Sequence, residues 1–264
     1  MSGMERDVII SVRGLRNQFG TQIIHDRLDL DIYAGEVLGI VGGSGTGKSV
    51  LLRTILGLNK PATGRIEIFG KARSEMTREE EHAVERRWGV LFQDGALFSS
   101  LTVAQNIQVA LKEHLHLPQR LLDEISAVKI GLVGLPPEAG PKFPSELSGG
   151  MRKRAGLARA LALDPEIVFL DEPTAGLDPI GASAFDELIK NLQATLGLTV
   201  FMVTHDLDSL YAICDRIAVL AEKKVMVTGT IEQMLTQEHP WIREYFHGPR
   251  GRAAMAAKSA PPRS

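Results

Sequence analysis

A glycine-rich stretch, GGSGTGKS at residues 42–49, constrains the fold of this chain more than any other feature. It matches the pattern G-x-x-x-x-G-K-[ST]. The apolar run EVLGIV precedes it, and SVLLRTILGL follows with helical spacing and stops at Gly57. A strand before the loop and a helix after it are the context in which this pattern binds phosphate. The stretch therefore predicts a nucleoside triphosphate site in an α/β fold rather than a plain glycine-rich turn.

The residue types of this loop suit phosphate binding. Glycines let successive N–H groups converge on phosphate oxygens, and the following helix points its positive end at the same place. Lys48 is expected to reach the β- and γ-phosphates, and the Ser49 hydroxyl to bind Mg²⁺. The predicted ATP-binding residues are Gly42, Gly43, Ser44, Gly45, Thr46, Gly47, Lys48 and Ser49.

A second acidic motif, IVFLDEP at residues 167–173, ends a four-residue apolar strand with two carboxylates. In isolation, Asp171 could equally be a helix cap. Beside a phosphate loop, the pair fits hydrolytic chemistry better. Asp171 would hold Mg²⁺ through water, and Glu172 would act as the general base that polarises the attacking water.

The rest of the pattern predicts the fold class. The first forty residues read as β, and residues 102–135 read as helical. LTVFMV (198–203) has the length of a buried strand, and RIAVLAEKKVMVTG predicts a hairpin around Lys223 and Lys224. Strands alternating with helices indicate a mainly parallel sheet with a helical insertion between two halves.

Composition restricts the cellular compartment and the kinds of partner that are expected. The net charge of −2 gives no global attraction to nucleic acid, and the single cysteine, Cys214, suits a reducing compartment. MSGMERDVIISV lacks the apolar core of a secretory signal, and no apolar run approaches the ~20 residues of a membrane span. We therefore expect a cytosolic protein that a partner would have to hold at any membrane.

The stretch LSGGMRKRAGLAR at residues 147–159 places two glycines directly before a well-patterned helix, where each costs roughly 1 kcal/mol. A serine N-cap with flexible spacing is the plain interpretation. In its context the stretch resembles the signature motif of the ATPase subunits of ABC transporters. LFQDGALF (91–98) resembles their Q-loop, AGLD (175–178) their D-loop and VTHD (203–206) their switch histidine, in family order over nearly the whole chain.

The resemblance implies an α/β P-loop NTPase with a RecA-like, mostly parallel sheet core, an N-terminal antiparallel β subdomain and a helical subdomain. It also implies the boundaries: a leader at 1–7, the ATPase domain at 8–246 with the helical part at about 95–160, and a flexible tail at 247–264. The tail carries four positive side chains and no acid.

Residue roles follow from the same resemblance. In the family, the signature of one subunit closes over the ATP of another. Gln93 would touch Mg²⁺ and the attacking water, and His205 the γ-phosphate, although a lone histidine after a strand is otherwise read as structural. Asp178 would cross the dimer interface, and Phe19 would lie against adenine, with a core or loop phenylalanine as its alternative. The signature residues expected to grip the partner's ATP are Ser148, Gly149 and Gly150.

Two departures from the family pattern are Met151, where many relatives have Gln, and Gly43, where proline is frequent. Neither removes a charged or phosphate-contacting group, so slow but real hydrolysis is expected. The basic run at 152–154 is interpreted as contributing phosphate electrostatics and solvation rather than nucleic-acid binding.

The flank of the Q-loop, the Met151 signature and Pro179-Ile180 are similar to the Mla-type ATPases of Gram-negative bacteria, which belong to the Mce-linked phospholipid transporters. That similarity implies an ATPase homodimer on the cytoplasmic face of the inner membrane. Its implied partners are a two-copy permease, a ring of Mce-domain subunits and often a STAS-domain protein.

Three alternatives remain open. The first is the ATPase of another membrane ABC system, such as an amino-acid or metal importer, a lipoprotein-release ATPase or a cell-division partner. The second is a soluble ABC-type ATPase acting on DNA or ribosomes, against which the single cassette and the lack of a cysteine cluster argue. The third is a non-catalytic cassette. Against it argues the joint presence of four residues, which are Lys48, Asp171, Glu172 and His205.

Overall fold

The computed structural model describes residues 7–248 and residue 254. Contacts divide the chain into two compact units, one made of Met1–Met76 with Phe201–Ser264 and one of Thr77–Val200. The strands, in chain order, are β1 Val8–Phe19, β2 Gln22–Tyr33, β3 Val37–Val41, β4 Thr63–Ile68, β5 Lys71–Ala72, β6 Trp88–Leu91, β7 Ile167–Asp171, β8 Thr199–Val203, β9 Arg216–Ala221 and β10 Lys224–Gly229.

The helices, in chain order, separate these strands. They are α1 Lys48–Ile55, α2 Arg78–Glu85, α3 Val103–His114, α4 Gln119–Leu132, α5 Gly149–Ala160, α6 Pro179–Leu196, α7 Leu207–Ile213, α8 Ile231–Leu235 and α9 Pro240–His247. Within the ranges 7–248 and 254, no helix is both long and apolar enough to cross a membrane.

The first unit contains an antiparallel sheet of order β2-β1-β4-β5. Its longest strands, β1 and β2, pair from Val8 opposite Tyr33 to Phe19 opposite Gln22. Residues such as Ile10 and Val12 are buried while their neighbours are not, as expected for a strand with one face on a core. Strand β1 ends at Phe19, one of the predicted nucleotide contacts.

A second set of strands in the same unit has the order β10-β9-β3-β8. β3 runs parallel to β9, and β9 and β10 form the hairpin predicted around Lys223. All five residues of β3 are buried, which explains its continuous apolar sequence. The Thr204 N–H donates to the Ile40 carbonyl at 3.2 Å, so the loops that follow β3 and β8 begin at the same edge.

Helix α9 belongs to the core of the first unit. Ile242 and Phe246 are fully buried there, beside Val41 at the end of β3 and Val219 of β9. Trp241 and Tyr245 pack against the same cluster with partly exposed rings that stack 4.8 Å apart. The cluster fixes this helix behind the phosphate loop.

The second unit combines the parallel pair β6–β7 with helices α3, α4 and α5. Trp88 of β6 meets Phe169 of β7 edge to face at 5.7 Å. Asn106 is buried in α3 and donates to the carbonyls of Phe98, Leu101 and Thr102, which fixes the loop that leads into the helix. Lys129 of α4 is paired with Asp164 at 2.5 Å.

The strand and helix predictions agree with these elements, including the helical stretch predicted at 102–135, which contains α3 and α4. The predicted helical subdomain at 95–160 lies inside the second unit, and its boundaries stay a prediction. Residues 1–6 of the predicted leader and most of the predicted flexible tail lie outside the described residues. Ala254, which is described, is helical and buried in the cluster that holds α9.

Candidate functional site

The phosphate loop of the first unit needs glycine at two positions for steric reasons. A Cβ on Gly42 would collide with the Leu220 carbonyl oxygen. Gly47 has φ +96°, and its Cβ would lie 2.5 Å from both His25 Nε2 and Ile24 Cγ2. Larger residues would push the loop off β9 and β2, so these glycines set the curvature on which phosphate binding depends.

Lys48 opens α1 and folds its side chain over the loop. Its ammonium donates to the carbonyls of Gly42 at 2.8 Å and Gly43 at 3.1 Å, while the Thr46 hydroxyl donates to the Gly43 carbonyl at 2.9 Å. The result is a curled loop at a helix N-terminus with a lysine over it, which is the arrangement of an anion site.

His25 lies beneath this loop and is fully buried. Asn17 Nδ2 lies 2.9 Å from its Nδ1, and among the described residues its Nε2 has no hydrogen-bond partner. Burial lowers the pKa of His25 to about 4, although the backbone of Thr46 and Gly47 opposes part of that shift. The imidazole is therefore neutral at physiological pH, and nothing in the sequence had singled it out.

Two further predicted residues lie in the first unit. The Phe19 side chain is 53% exposed, which excludes the core alternative for this residue. His205 follows β8 with an exposed side chain, and the Tyr245 hydroxyl of α9 donates to its carbonyl at 3.1 Å. Trp241 of α9 approaches the phosphate loop, since its Nε1 lies 3.7 Å from a Cβ built on Gly43.

The second unit holds the acidic pair and the D-loop. Asp171 ends β7 and is buried. Glu172 follows with φ +50°, a left-handed conformation that is unfavourable for a residue with a Cβ. The Asp178 carboxylate accepts hydrogen bonds from the N–H groups of Ile180 and Gly181 and caps α6, so this side chain has a local structural role whatever it does at an interface.

The signature serine starts α5. The Ser148 hydroxyl accepts from the Met151 N–H and caps the helix, while its side chain is exposed. Apart from adjacent residues and the nearby backbone of α5, no described atom lies within 4 Å of a Cβ built on Gly149, and only Leu177 Cδ2, at 3.9 Å, approaches one on Gly150. Packing against the described residues therefore does not require glycine at either position.

The basic run of α5 differs from its sequence interpretation. Arg152 donates to the Leu147 carbonyl and Arg154 to the Val133 carbonyl, both at 2.7 Å. Lys153 is only 5% exposed and donates to the carbonyls of Gln93 and, at 2.9 Å, Glu172. Burial lowers the pKa of its ammonium, and the carboxylates of Asp94, Glu172 and Asp171 oppose that shift.

The structure thus gathers the predicted residues into two groups. Within the first unit, the phosphate loop at 42–49 lies at the strand edge from which the His205 loop also begins. Within the second unit, Lys153 joins the backbone of Gln93 to that of Glu172, on the helix that Ser148 starts. Lys153, His25 and Tyr245 are the residues that sequence reasoning missed, because their positions depend on tertiary packing.

Comparison with known proteins gives a consistent assignment. The sequence profile described as "ABC transporter" matches residues 25–175. The chain is 39% identical to the intermembrane phospholipid transport system ATP-binding protein MlaF of Haemophilus influenzae, over 91% of this chain and 90% of that protein. It is 41% identical to the probable ribonucleotide transport ATP-binding protein mkl of Mycobacterium leprae, over 94% of this chain and 71% of the relative.

Solved structures agree with the profile. The dimeric ATP-binding cassette MJ0796, in a post-hydrolysis state with ADP and Pi, superposes with a TM-score of 0.76 at 28% identity, covering 84% of this chain and 98% of that one. CbiO1 of Clostridium perfringens, part of the ABC transporter complex cbiONQ, gives 0.78 at 29% identity over 96% and 99%. Both are nucleotide-binding cassettes with the P-loop NTPase fold that the sequence predicted. The chain belongs to the ABC transporter family, as one of its ATPase cassettes.

Proposed function

We propose that this chain is the ATP-hydrolysing subunit of a bacterial inner-membrane ABC system that transports phospholipid between the inner and outer membranes. The observation that carries the proposal is the end-to-end match to MlaF, which covers about nine tenths of both chains. The ribonucleotide-transport relative is longer, and this chain spans 71% of it. The Met151 signature and the Gly95–Phe98 flank support the same choice.

ATP fits the phosphate loop. The loop offers backbone N–H groups that no bulky side chain shields, a helix N-terminus and the Lys48 ammonium, which together complement a polyphosphate. Phe19 offers an exposed ring on which adenine can stack. In this arrangement Lys48 leaves its own loop carbonyls to bind the β- and γ-phosphates.

Three predicted residues offer Mg²⁺ a set of oxygen donors that carries little negative charge. Across residues 7–248 and 254, no cluster of three or more His, Cys, Asp or Glu side chains could hold a metal by itself. The Ser49 hydroxyl, the Gln93 amide and the Asp171 carboxylate are oxygen donors with one negative charge, as suits an ion that keeps water and phosphate ligands. When bound, the ion would offset the charge of the phosphates during hydrolysis.

Hydrolysis would use two subunits. Glu172 would take the proton of the attacking water, His205 would hydrogen-bond the γ-phosphate, and Gln93 would orient the water. Ser148, Gly149 and Gly150 of a second copy would close over the same γ-phosphate, which accounts for glycines that packing within residues 7–248 does not require. Asp178 would lie at that dimer interface.

We place the ATPase dimer on the cytoplasmic face of the inner membrane, bound to permease subunits, with Mce-domain subunits and a STAS-domain protein as further partners. The net charge of −2 supports no role for nucleic acid. ATP-driven closure of the dimer would be passed through the Gln93 loop to the permease, and phosphate release would reopen it.

The test is affinity purification of the tagged Glu172→Gln chain from its native host in mild detergent, with proteins, lipids and nucleotides identified by mass spectrometry. Removing the general base should keep ATP bound and stabilise the assembled complex. We expect a permease, an Mce-domain subunit and phospholipid above the level recovered with Lys48→Ala, which should not bind ATP.

Other recoveries would correct the proposal in defined ways. A permease with a soluble solute-binding protein and no enriched lipid would keep the ATPase assignment and overturn the phospholipid cargo. Enriched ribonucleotides other than the bound ATP would favour the cargo named for the mycobacterial relative. Unchanged ATP turnover by Glu172→Gln would contradict the role of Glu172.

A further inference from the structure

Lys153 is a buried cation that no assigned step of hydrolysis uses. It lies on α5, five residues after the Ser148 cap, and its side chain is almost inaccessible. Its ammonium spans two other segments of the second unit by donating to the backbone carbonyls of Gln93 and Glu172. Burying an ammonium is costly unless it is hydrogen-bonded, so these contacts are what make its position tolerable.

The Lys153 ammonium binds the Glu172 backbone at a point where the backbone conformation is strained. Its left-handed conformation, with φ +50°, is strained for a residue with a Cβ and persists only where the surroundings impose it. The Glu172 carbonyl accepts both the Lys153 ammonium and the Ala175 N–H, at 2.9 and 3.2 Å. These two bonds fix the peptide group that follows the Glu172 Cα, the atom to which the Glu172 side chain is attached.

The same face of α5 presses on the segment after Gln93. Lys153, Gly156 and Arg159 are spaced three residues apart and therefore share a helix face. A Cβ on Gly156 would lie 3.0 Å from Gly95 Cα, and Arg159 donates to the carbonyls of Gly95 and Ala96 at 2.9 and 2.6 Å. A displacement of α5 must therefore move the Gln93 loop and the Glu172 peptide together.

We propose that Lys153 is a positioning residue for hydrolysis, which ties the helix carrying Ser148 to both the Gln93 loop and the Glu172 peptide. The inference builds on the proposed function, because it assumes that Glu172 and Gln93 act on ATP. Binding of Ser148 to the nucleotide of another subunit would then affect Glu172 and Gln93 of the same chain through the Lys153 side chain.

The test compares Lys153→Met, which keeps the length of the side chain but removes its charge and donors, with Lys153→Arg, which keeps both. We expect kcat for ATP hydrolysis to fall about 10- to 100-fold in Lys153→Met, as for other lost groups that orient a reacting residue. The dissociation constant for the β,γ-imido analogue of ATP should change less than about 3-fold, because the effect belongs to the hydrolytic step. Lys153→Arg should recover much of the rate.

The matched control is Arg154→Met, which removes a neighbouring cation of α5 that donates to the Val133 carbonyl instead. The kcat of Arg154→Met should stay within about 2-fold of that of the unchanged chain. Melting temperatures of all variants show whether each one is folded. Equal loss in Arg154→Met and Lys153→Met, or Lys153→Arg as inactive as Lys153→Met, would overturn the positioning role.

Hydrogen exchange without nucleotide separates this inference from the proposed function. Lys153→Met should speed exchange in peptides covering residues 92–96 and 172–176, whereas Arg154→Met should not. Unchanged exchange in both peptides would overturn the tie even if ATP is hydrolysed. If Lys153→Met speeds exchange in a chain that does not hydrolyse ATP, the structural role of Lys153 is supported and only the proposed function is contradicted.

Discussion

Gly47 shows how a single hydrogen in place of a methyl group decides whether the phosphate loop can form. Its φ of +96° already disfavours any other residue, and a Cβ there would overlap His25 and Ile24 at 2.5 Å. Gly47→Ala should lower the affinity for a fluorescent ATP analogue by more than about 10-fold, because the loop must lift off β2 to relieve the overlap.

Gly45→Ala is the matched comparison. Gly45 also has a positive φ, of +78°, but no described atom lies within 4 Å of its added Cβ. It should therefore carry only the strain of about 1–2 kcal/mol and bind more tightly than Gly47→Ala. Equal affinity in the two variants would show that the overlap beneath Gly47 is unimportant.

His25 makes stability depend on pH. Burial lowers its pKa to about 4 from 6.5, so the unfolded chain takes up a proton below pH 6.5 that the folded chain refuses until about pH 4. The folded state therefore loses stability as the pH falls through that window, by about 2 kcal/mol between pH 7 and pH 5 from this group.

Urea unfolding at pH 7 and pH 5 measures this effect. His25→Gln stays neutral and should show a smaller loss of unfolding free energy over this pH range than the unchanged chain. His116→Gln, which replaces an exposed histidine, should retain the full loss. A loss as large in His25→Gln as in the unchanged chain would contradict the assignment to His25.

At the scale of elements, helix α9 contacts the loop that carries His205. Tyr245 donates to the His205 carbonyl, and its ring stacks on Trp241. Tyr245→Phe keeps the stacking and removes one hydrogen bond to the loop that carries the proposed γ-phosphate contact. We expect kcat for ATP hydrolysis to fall about 5-fold, the equivalent of one hydrogen bond of about 1 kcal/mol.

Tyr211→Phe is the control for this variant. Tyr211 lies on α7, directly after the same loop, and within the described part of the chain its hydroxyl has no hydrogen-bond partner. Its removal should leave kcat unchanged. If Tyr211→Phe and Tyr245→Phe lower kcat equally, the effect comes from general loosening of the core and not from the bond to His205.

Sequence patterns predicted elements well where one local rule decides them. The apolar runs of β3, β7 and β8 and the serine cap of α5 follow from burial and capping alone. Asp178 was given only an interface role, and its capping of α6 at Pro179 went unrecognised. Lys153 was assigned, with its neighbours, to phosphate electrostatics and solvation, because nothing local reveals which face of α5 is covered.

At the scale of the whole molecule, the order of the motifs was the strongest signal in the sequence, since it identified the family and its fold. The site roles follow less directly, because the proposed hydrolytic centre is completed by a second copy. Ser148 is exposed in its own chain, and the dimeric MJ0796 cassette is a structural relative. A mixing experiment with two inactive variants therefore tests what the Ser148 segment binds.

Two inactive variants should restore each other if ATP is shared between subunits. Lys48→Ala disables the phosphate loop, and Ser148→Arg places a bulky group at the signature. A mixed dimer pairs the intact loop of one chain with the intact signature of the other. Random association makes about half of the dimers mixed, each with one working site of two, so about a quarter of the normal ATPase rate should return.

Ser148→Asn is the control, because it keeps a capping side chain on α5 and separates loss of the cap from obstruction of the site. It should stay folded and retain more activity than Ser148→Arg. A mixture of Lys48→Ala and Ser148→Arg that remains as inactive as each variant alone would contradict the shared site. Recovery above the sum of the two separate rates would support a site in which the Ser148 segment of one subunit serves the nucleotide held by the phosphate loop of the other.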